Sequence, residues 1–347
     1  MADCGPVPGW MRPLAGLVSR AYAAEVSRRN RNWDAGRGVV TIDCPVISVG
    51  NLSVGGTGKT PMVGSIVSWL LEAGHAPAIA MRGYKSRGGV SDEAAEYAAR
   101  FGDGVPVVAQ PDRLEGLLRL FAEVGDDVDC VVLDDGFQHR RIARQLDIVL
   151  IDASRDPFSD ACLLAGWLRE PVGSLARAHA VVVTHAERVD RGELDRLISR
   201  IGAETDAPVV VASHRWSDLE VLHDGEDTAR PVEWLDGKRV FAACGIGNPD
   251  AFVEASRRAS GGALAGTLVL RDHDSFGTGT VRRLISRASG CDAIVVTGKD
   301  WAKLRRVDPS RWPCAVARPR LRMSFETGEA SLRSLVLAAA QAEDPEP

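Results

Sequence analysis

The stretch from Asn51 to Pro61, NLSVGGTGKTP, constrains the fold most, because its glycines stand between a predicted strand and a predicted helix. The preceding run VVTIDCPVISVG is rich in β-branched residues, and the following run PMVGSIVSWLLEAG has apolar residues at helical spacing. A strand, a glycine-rich loop and a helix in this order are typical of a phosphate-binding loop, or P-loop. The sequence therefore predicts a phosphorylated ligand at the amino end of this helix.

The match to the P-loop pattern G-x-x-x-x-G-K-[ST] is incomplete, because Ser53 stands where the first glycine is expected. Lys59 supplies a cation for the β- and γ-phosphates of a nucleotide, and Thr60 is a candidate Mg²⁺ ligand. The alternative is a glycine-rich turn that merely precedes a helix. The predicted nucleotide-binding residues are Ser53, Val54, Gly55, Gly56, Thr57, Gly58, Lys59 and Thr60.

Short apolar runs alternate with helix-like stretches along the first two thirds of the chain, which predicts parallel strands buried on both faces. The predicted fold class is α/β: a P-loop NTPase-type, mostly parallel sheet with flanking helices, plus a second, smaller α/β domain. The polar, turn-rich segment 214–237 is interpreted as a linker. The predicted domains are therefore 1–213 for the P-loop domain and 238–347 for the smaller one, which is expected to close over the active site.

Two aspartates, Asp134 and Asp135, directly follow the apolar run DCVVL. A P-loop needs an acidic side chain at the end of another buried strand to hold its metal ion, so both are candidate Mg²⁺ ligands, with Asp134 preferred. The alternative is that the pair belongs to a turn or caps a helix. His139, a little further on, is either part of the same site or an ordinary surface residue.

Composition narrows the possible partners and compartments. The chain has 347 residues and a formal net charge of −5, so it lacks the basic footprint of a nucleic-acid-binding protein, and no nucleic-acid partner is expected. Its seven cysteines include no C-x-x-C pair, which argues against a disulfide framework or a structural zinc site and favours a reducing cytoplasm. No apolar run reaches the roughly 20 residues needed to cross a bilayer.

The N-terminal segment predicts an amphipathic helix with arginines around its apolar stripe. Such a helix either lies in a membrane interface or packs its stripe on the body of the domain. The residues of the stripe are Trp10, Leu14, Leu17, Val18, Ala21 and Tyr22.

A series of blocks in one order carries a resemblance to a known family. The blocks are VGNLSVGGTGKTP, RGY (82–84), DDGFQHRRIARQLDIVLID (134–152), LLAGWLREP (163–171), GIGNPDAF (245–252), RDHDSF (271–276) and VVTGKDWAKL (295–304). Over roughly residues 10 to 320, the series closely resembles tetraacyldisaccharide 4'-kinase, the lipid A 4'-kinase family. DDGFQHRR and LREP are far more specific than the P-loop.

The resemblance implies transfer of the γ-phosphoryl group of ATP, with Mg²⁺, to the 4'-hydroxyl of tetraacyldisaccharide 1-phosphate, forming lipid IVA. A four-chain lipid stays in the bilayer, since each buried CH₂ is worth about 0.8 kcal/mol. The enzyme is therefore expected at the cytoplasmic face of the inner membrane as a peripheral protein, docked through its N-terminal helix.

The resemblance also assigns residues. Asp92, in SDEA where the family has G-D-E, corresponds to the residue that takes the hydroxyl proton, and His273 in RDHDSF to its histidine partner. From the residues alone, Asp92 is also a plausible helix cap, and Lys299 and Asp300 of TGKD could likewise only cap a helix. The residues carried over as substrate or phosphate contacts are Arg82, Arg113, Gln138, His139, Arg169 and Glu170.

Two other functional classes are compatible with a P-loop. A metallochaperone-type GTPase should carry the guanine-reading motif [NT]-K-x-D, whereas TGKD has its lysine and aspartate adjacent. A nucleotide-gated scaffold without catalysis would not need the DHDSF or LREP blocks.

Overall fold

The structure is a computed structural model that describes residues 7, 12–83, 92–247, 249–272 and 274–342, with the side chains of Arg12, Asp92 and Asp126 excepted. The chain forms two compact units. Unit 1 comprises residues 1–214 and 323–347, and unit 2 comprises residues 215–322. Trp10 and His273 therefore lie outside the described residues.

Unit 1 is a parallel sheet with helices, as the alternation of apolar runs predicts. Its strand order is β3-β2-β4-β1-β5-β6-β7, with every adjacent pair parallel. The strands are β1 (Val46–Asn51), β2 (Pro77–Met81), β3 (Val107–Ala109), β4 (Cys130–Asp134), β5 (Leu146–Asp152), β6 (Ala180–Thr184) and the first part of β7 (Val209–His223). The helices are α1 (Arg12–Asp34), α2 (Lys59–Glu72), α3 (Asp92–Phe101), α4 (Arg113–Val124), α5 (Arg191–Gly202) and α9 (Glu329–Ala340).

Four strands that lie in unit 2 follow the order β10-β9-β11-β12, and each adjacent pair among these four is parallel. The strands of unit 2 are β8 (Glu226–Arg230), β9 (Val240–Cys244), β10 (Gly266–Val269), β11 (Ala293–Val296) and β12 (Ala315–Thr327). Its helices are α6 (Pro249–Ala259), α7 (Thr278–Arg287) and α8 (Gly298–Leu304).

The linker predicted at 214–237 is wrong, because the segment contains two paired strands. β7 continues to His223 and pairs antiparallel with β8. β8 is largely exposed, so its sequence lacks the apolar alternation by which a strand is recognised. The boundaries between the units instead fall inside β7 and β12.

The final helix also belongs to unit 1, not to the smaller domain as predicted. Leu332 and Val336 of α9 are fully buried in the same core as Ile66 and Leu70 of α2. Arg333 pairs with Glu72 at 2.9 Å. The helix stays with unit 1 because its apolar stripe completes the core beside α2.

Helix α1 is present as predicted, but it contacts unit 1 through a face other than the most apolar one. Ser19 Oγ donates to the Cys162 carbonyl at 2.8 Å, and Tyr22 Oη donates to the Arg169 carbonyl at 3.0 Å. Three apolar residues outside this contact face, Leu14, Leu17 and Val18, are 62%, 66% and 43% exposed and are here called the outer face of α1. Among the residues described, no helix is long and apolar enough to cross a membrane.

Candidate active site

The predicted P-loop lies between β1 and α2, and its glycines adopt conformations that other residues resist. Gly55 has φ 123° and Gly58 has φ 86°. Thr57 is held from two sides: its hydroxyl accepts from Asn51 Nδ2 at 2.8 Å, and its carbonyl accepts from Thr184 Oγ1 at 2.9 Å. The loop is therefore a fixed backbone cradle at the amino end of α2, as phosphate binding requires.

The LREP block packs back onto this loop. Val54 N donates to the Trp167 carbonyl at 2.8 Å, and Arg169 N donates to the Leu52 carbonyl at 2.6 Å. Ser53, at the degenerate glycine position, forms a β-bridge with Leu168. Two blocks more than 100 positions apart in the sequence thus form one structure.

Asp135 is the centre of a cluster of cations at the end of β4. Its carboxylate lies 3.4 Å from Lys59 Nζ and accepts from Arg169 Nη1 at 2.8 Å through both oxygens. Its backbone carbonyl accepts from Arg113 Nη1 at 3.0 Å. Although burial opposes the shift, Lys59 and Arg169 lower the pKa of Asp135, so the side chain is a carboxylate. Its position orients the P-loop lysine.

Asp134, one residue earlier, has the opposite environment. Burial, reinforced by the negative charge of Glu93, raises its pKa to about 6. Tyr97 Oη donates to Oδ2 at 3.0 Å, while the buried Oδ1 has no hydrogen-bond partner among the described residues. The Tyr97 hydroxyl also lies near the Thr60 side chain. A buried carboxylate oxygen without a donor, close to a threonine hydroxyl, fits the oxygen-rich ligand set that Mg²⁺ prefers.

Arg113 lies beside the aspartate pair and is near enough to Arg82 and to His139 to interact electrostatically with both. Arg113 is buried, and its pKa is lowered by burial and also by the charge of Arg82. Burial and the charge of Arg113 lower the pKa of His139 to about 4, so this imidazole is neutral near pH 7. The sequence left open whether His139 belongs to the site or is an ordinary surface residue. In the structure it is a half-buried, neutral side chain at the edge of the cluster.

Gln138 and Glu170 have mainly structural partners. Gln138 Nε2 donates to the Asn51 carbonyl at 2.9 Å, which ties the end of β4 to the start of the P-loop. Glu170 is 2% exposed, and its carboxylate accepts from Arg177 at 3.0 Å and from Asn30 of α1 at 2.7 Å. Glu170 therefore anchors α1 to the LREP block, and its contact with a substrate stays a prediction.

The side chain of Asp92 lies outside the described residues, but its helix is placed. Asp92 is the first residue of α3, and the hydroxyl of Tyr97 on that helix contacts Asp134. Glu93 is close enough for its charge to raise the pKa of Asp134. The amino end of α3 therefore lies near the predicted metal site, and the role of Asp92 stays a prediction.

His273 lies outside the described residues, but the segments around it converge in unit 2. Gly245 N donates to Asp300 Oδ2 at 2.9 Å, and a Cβ on Gly245 would lie 3.2 Å from the Arg271 carbonyl. Thr297 caps α8 by accepting from Asp300 N. Three blocks thus meet where β9, β10 and β11 end: GIGNPDAF, RDHDSF and TGKD. Asp300 joins two of them by accepting the hydrogen bond from Gly245.

Several residues at this edge of unit 1 escaped sequence reasoning. Tyr97 has no local signal, because it occupies one apolar position of an amphipathic helix. Arg155 places Nη1 3.2 Å from where a Cβ on Gly55 would stand, so it is a further cation at the loop. His185 and His214 follow β6 and lie within β7, and they contact the P-loop backbone. These residues are identified only by the strand order, which brings the carboxyl ends of their strands to one edge of the sheet.

Comparison with known proteins agrees with this geometry. The family model described as Tetraacyldisaccharide-1-P 4'-kinase (LpxK) matches residues 10–341. The chain belongs to this kinase family. The match confirms the resemblance seen in the ordered blocks, and it disfavours the GTPase and scaffold alternatives.

Two curated relatives from this family are similar over most of their length. The tetraacyldisaccharide 4'-kinase of Geobacter metallireducens is 37% identical over 84% of this chain and 88% of its own length. The enzyme of the same name from Chlorobaculum tepidum is 35% identical over 85% of this chain and 86% of its own.

A solved family member shares the fold. The crystal structure described as the "apo" form of LpxK from Aquifex aeolicus in complex with ATP matches with a TM-score of 0.73 and 27% identity. The match covers 95% of this chain and 99% of that one. The predicted P-loop kinase fold is confirmed.

Proposed function

We propose that this chain transfers the γ-phosphoryl group of ATP to the 4'-hydroxyl of tetraacyldisaccharide 1-phosphate. The observation that carries the proposal is the pairing of Lys59 with Asp135, beside the partnerless oxygen of Asp134, at the mouth of a fixed P-loop. This arrangement offers a lysine to phosphate oxygens and a carboxylate to a divalent cation. Membership of the lipid kinase family supplies the acceptor.

Phosphoryl transfer needs mainly positioning and charge neutralisation. Backbone N–H groups of the loop from Gly55 to Thr60 would donate to the phosphates, and Lys59 would add a full positive charge. A bound phosphate competes with Asp135 for Lys59, and Arg169 keeps Asp135 neutralised when the lysine moves. Thr60 and Asp134 would hold Mg²⁺, which shields phosphate charge when bound.

The acceptor hydroxyl must lose its proton as it attacks. Asp92 is proposed as the group that receives this proton, supported by the position of α3 beside Asp134. His273 is proposed as its partner, on the resemblance of the RDHDSF block to the family's histidine motif. A carboxylate bonded to an imidazole orients the ring and raises its basicity.

The outer face of α1 is proposed to dock the enzyme on the cytoplasmic face of the inner membrane. An exposed apolar stripe on a helix fixed to the protein body by its other side has the form of an interfacial anchor. Exposed arginines on α1, including Arg20 and Arg29, suit anionic headgroups. The enzyme is thus a peripheral protein acting on a lipid that stays in the bilayer.

The proposal is tested with γ-labelled ATP and tetraacyldisaccharide 1-phosphate dispersed in detergent. We expect label in the lipid product at the 4' position, and Lys59→Ala should lower turnover by at least about tenfold, or 1.4 kcal/mol. Lys238→Ala is the matched control, because Lys238 stacks on Trp234 in unit 2. Label released only as free phosphate, or a preference for GTP over ATP, would contradict the proposal.

A further inference from the structure

A cluster of two histidines and a glutamate lies behind the P-loop in unit 1. His185 Nδ1 is 3.0 Å from His214 Nδ1 and 3.5 Å from Glu187 Oε1. One nitrogen or oxygen atom from each of the three residues lies within 4.8 Å of the other two. His185 is buried, His214 is partly buried, and Glu187 is an exposed residue whose side chain is 26% exposed. Nothing in the kinase reaction described above uses this cluster.

The spacing fits a small tetrahedral metal ion. Zinc bonds of 2.0–2.1 Å place neighbouring ligand atoms of a tetrahedron about 3.3–3.4 Å apart. The observed separations of 3.0 and 3.5 Å lie on either side of that edge length. Two imidazole nitrogens and one carboxylate oxygen favour zinc and similar transition metals over Mg²⁺, which prefers oxygen ligands.

One of the two histidines has the outer contact that metal-binding histidines require. His185 Nε2 lies 3.4 Å from the Gly56 carbonyl, so a ring that binds metal through Nδ1 would donate its remaining N–H to the P-loop. Glu187 Oε2 accepts from His214 N at 3.3 Å, and Oε1 lies 3.5 Å from His185 Nδ1 and 3.6 Å from Arg188 Nε. His185 Nδ1 and Glu187 Oε1 therefore face each other, while the Nε2 atom of His214 has no hydrogen-bond partner among the described residues.

A second group with a similar composition shows the contrast. His75, Asp129 and Cys130 also lie close together, and Asp129 uses one oxygen for His75 Nδ1 at 2.9 Å and one for Ala76 N at 2.8 Å, but the third member is a thiol in place of a second imidazole. Cys130 is fully buried, and burial raises the pKa of its thiol far above its ordinary value. This group is explained as a strand-end hydrogen-bond pair beside an inert thiol.

We propose that His185, Glu187 and His214 form a zinc-class metal site with three protein ligands and one open position. The site is coupled to the nucleotide loop, because a Cβ on Gly58 would lie 2.3 Å from His214 Nε2 and His185 faces Gly56. Metal that fixes both rings also fixes the loop backbone, so metal and ATP change each other's affinity by the same factor.

The test begins with the full chain stripped by a chelator, without nucleotide. Zinc is titrated against a chromophoric chelator, and cobalt(II) is used to reveal tetrahedral coordination by its visible absorption. We expect one equivalent of metal, and a loss of at least about 100-fold in affinity for Glu187→Gln and for His185→Asn, because even the partners of metal ligands are typically worth about 10–100-fold. His75→Gln is the matched control and should bind metal as the wild type does.

Two further measurements distinguish metal binding at the site from its effect on ATP affinity. Glu187→Gln is the primary variant because its partly exposed carboxylate can be replaced without opening a cavity, and circular dichroism confirms that it is folded. ATP affinity should differ between zinc-loaded and stripped wild type but not between the two forms of Glu187→Gln. Absence of stoichiometric binding, or binding lost in His75→Gln and kept in Glu187→Gln, would overturn the site, and equal ATP affinities would overturn the coupling.

Discussion

The two adjacent aspartates should respond to the same substitution with opposite changes in stability. Burial raises the pKa of Asp134 from 3.8 to about 6, so the metal-free folded protein keeps a proton there that the unfolded chain has released. Asp134 therefore adds stability below its ordinary pKa, and this stability is lost as the pH rises through about 6. Asp134→Asn removes that loss.

The magnitude of this change in stability follows from the shift in the pKa of Asp134. About two pKa units correspond to about 3 kcal/mol of unfolding free energy above pH 6, and about 1.4 kcal/mol of it is lost between pH 5 and pH 8. The asparagine can still accept from Tyr97, but its amide nitrogen takes the place of the partnerless Oδ1 and costs about 1–2 kcal/mol. At pH 8 the variant should therefore be about 1–2 kcal/mol more stable than the metal-free wild type.

The assay is urea unfolding without Mg²⁺ at pH 5 and pH 8, followed by tryptophan fluorescence, to which Trp69 in the unit 1 core contributes. Comparing the two pH values isolates the titration, because the cost of the amide is the same at both. Asp135→Asn is the matched control. This variant should be destabilised by about 1–3 kcal/mol, because Lys59 and Arg169 lose their carboxylate partner. The backbone adds no strain, because asparagine tolerates the φ of 54° at position 135.

Both variants should lose most of their kinase activity, so stability and function separate at Asp134. If the stability gain of Asp134→Asn is equal at pH 5 and pH 8, the carboxyl does not titrate as argued. If both variants are destabilised alike at pH 8, the opposite environments of the pair are wrong.

Three other predictions concern the loop, the membrane and the base. Gly58→Ala should lower ATP affinity at least about tenfold in equilibrium binding, because φ 86° and the His214 ring exclude a Cβ, and an unchanged affinity would show a flexible loop. Serine at all three positions of the outer face of α1 should reduce sedimentation with anionic vesicles while ATP affinity stays constant, and unfolding instead would mean that the face packs on the protein. His273→Ala should lower kcat with nearly unchanged ATP affinity, since the histidine is expected to act on the acceptor, and a wild-type kcat would remove it from the mechanism.

The elements of the site that depend on local order were predictable from the sequence. The P-loop is contiguous, so its strand, glycines and helix are visible as one pattern, and Asp134 is the last residue of a strand that is otherwise apolar. The alternation of short apolar runs with helices likewise predicts a buried parallel sheet. The ordered blocks added the family, because their order along the chain is itself a one-dimensional property.

Other features were decided by contacts between distant segments. The hydroxyl of Tyr97 reaches Asp134 across 37 positions, and His185 meets His214 only because β6 and β7 are adjacent in the sheet. Helix α9 follows the sequence of unit 2 yet packs on α2, since burying its apolar stripe there is worth more than proximity along the chain. Periodicity shows that a residue faces some core or some edge, but the partner at that edge is set by strand order, which only the tertiary structure decides.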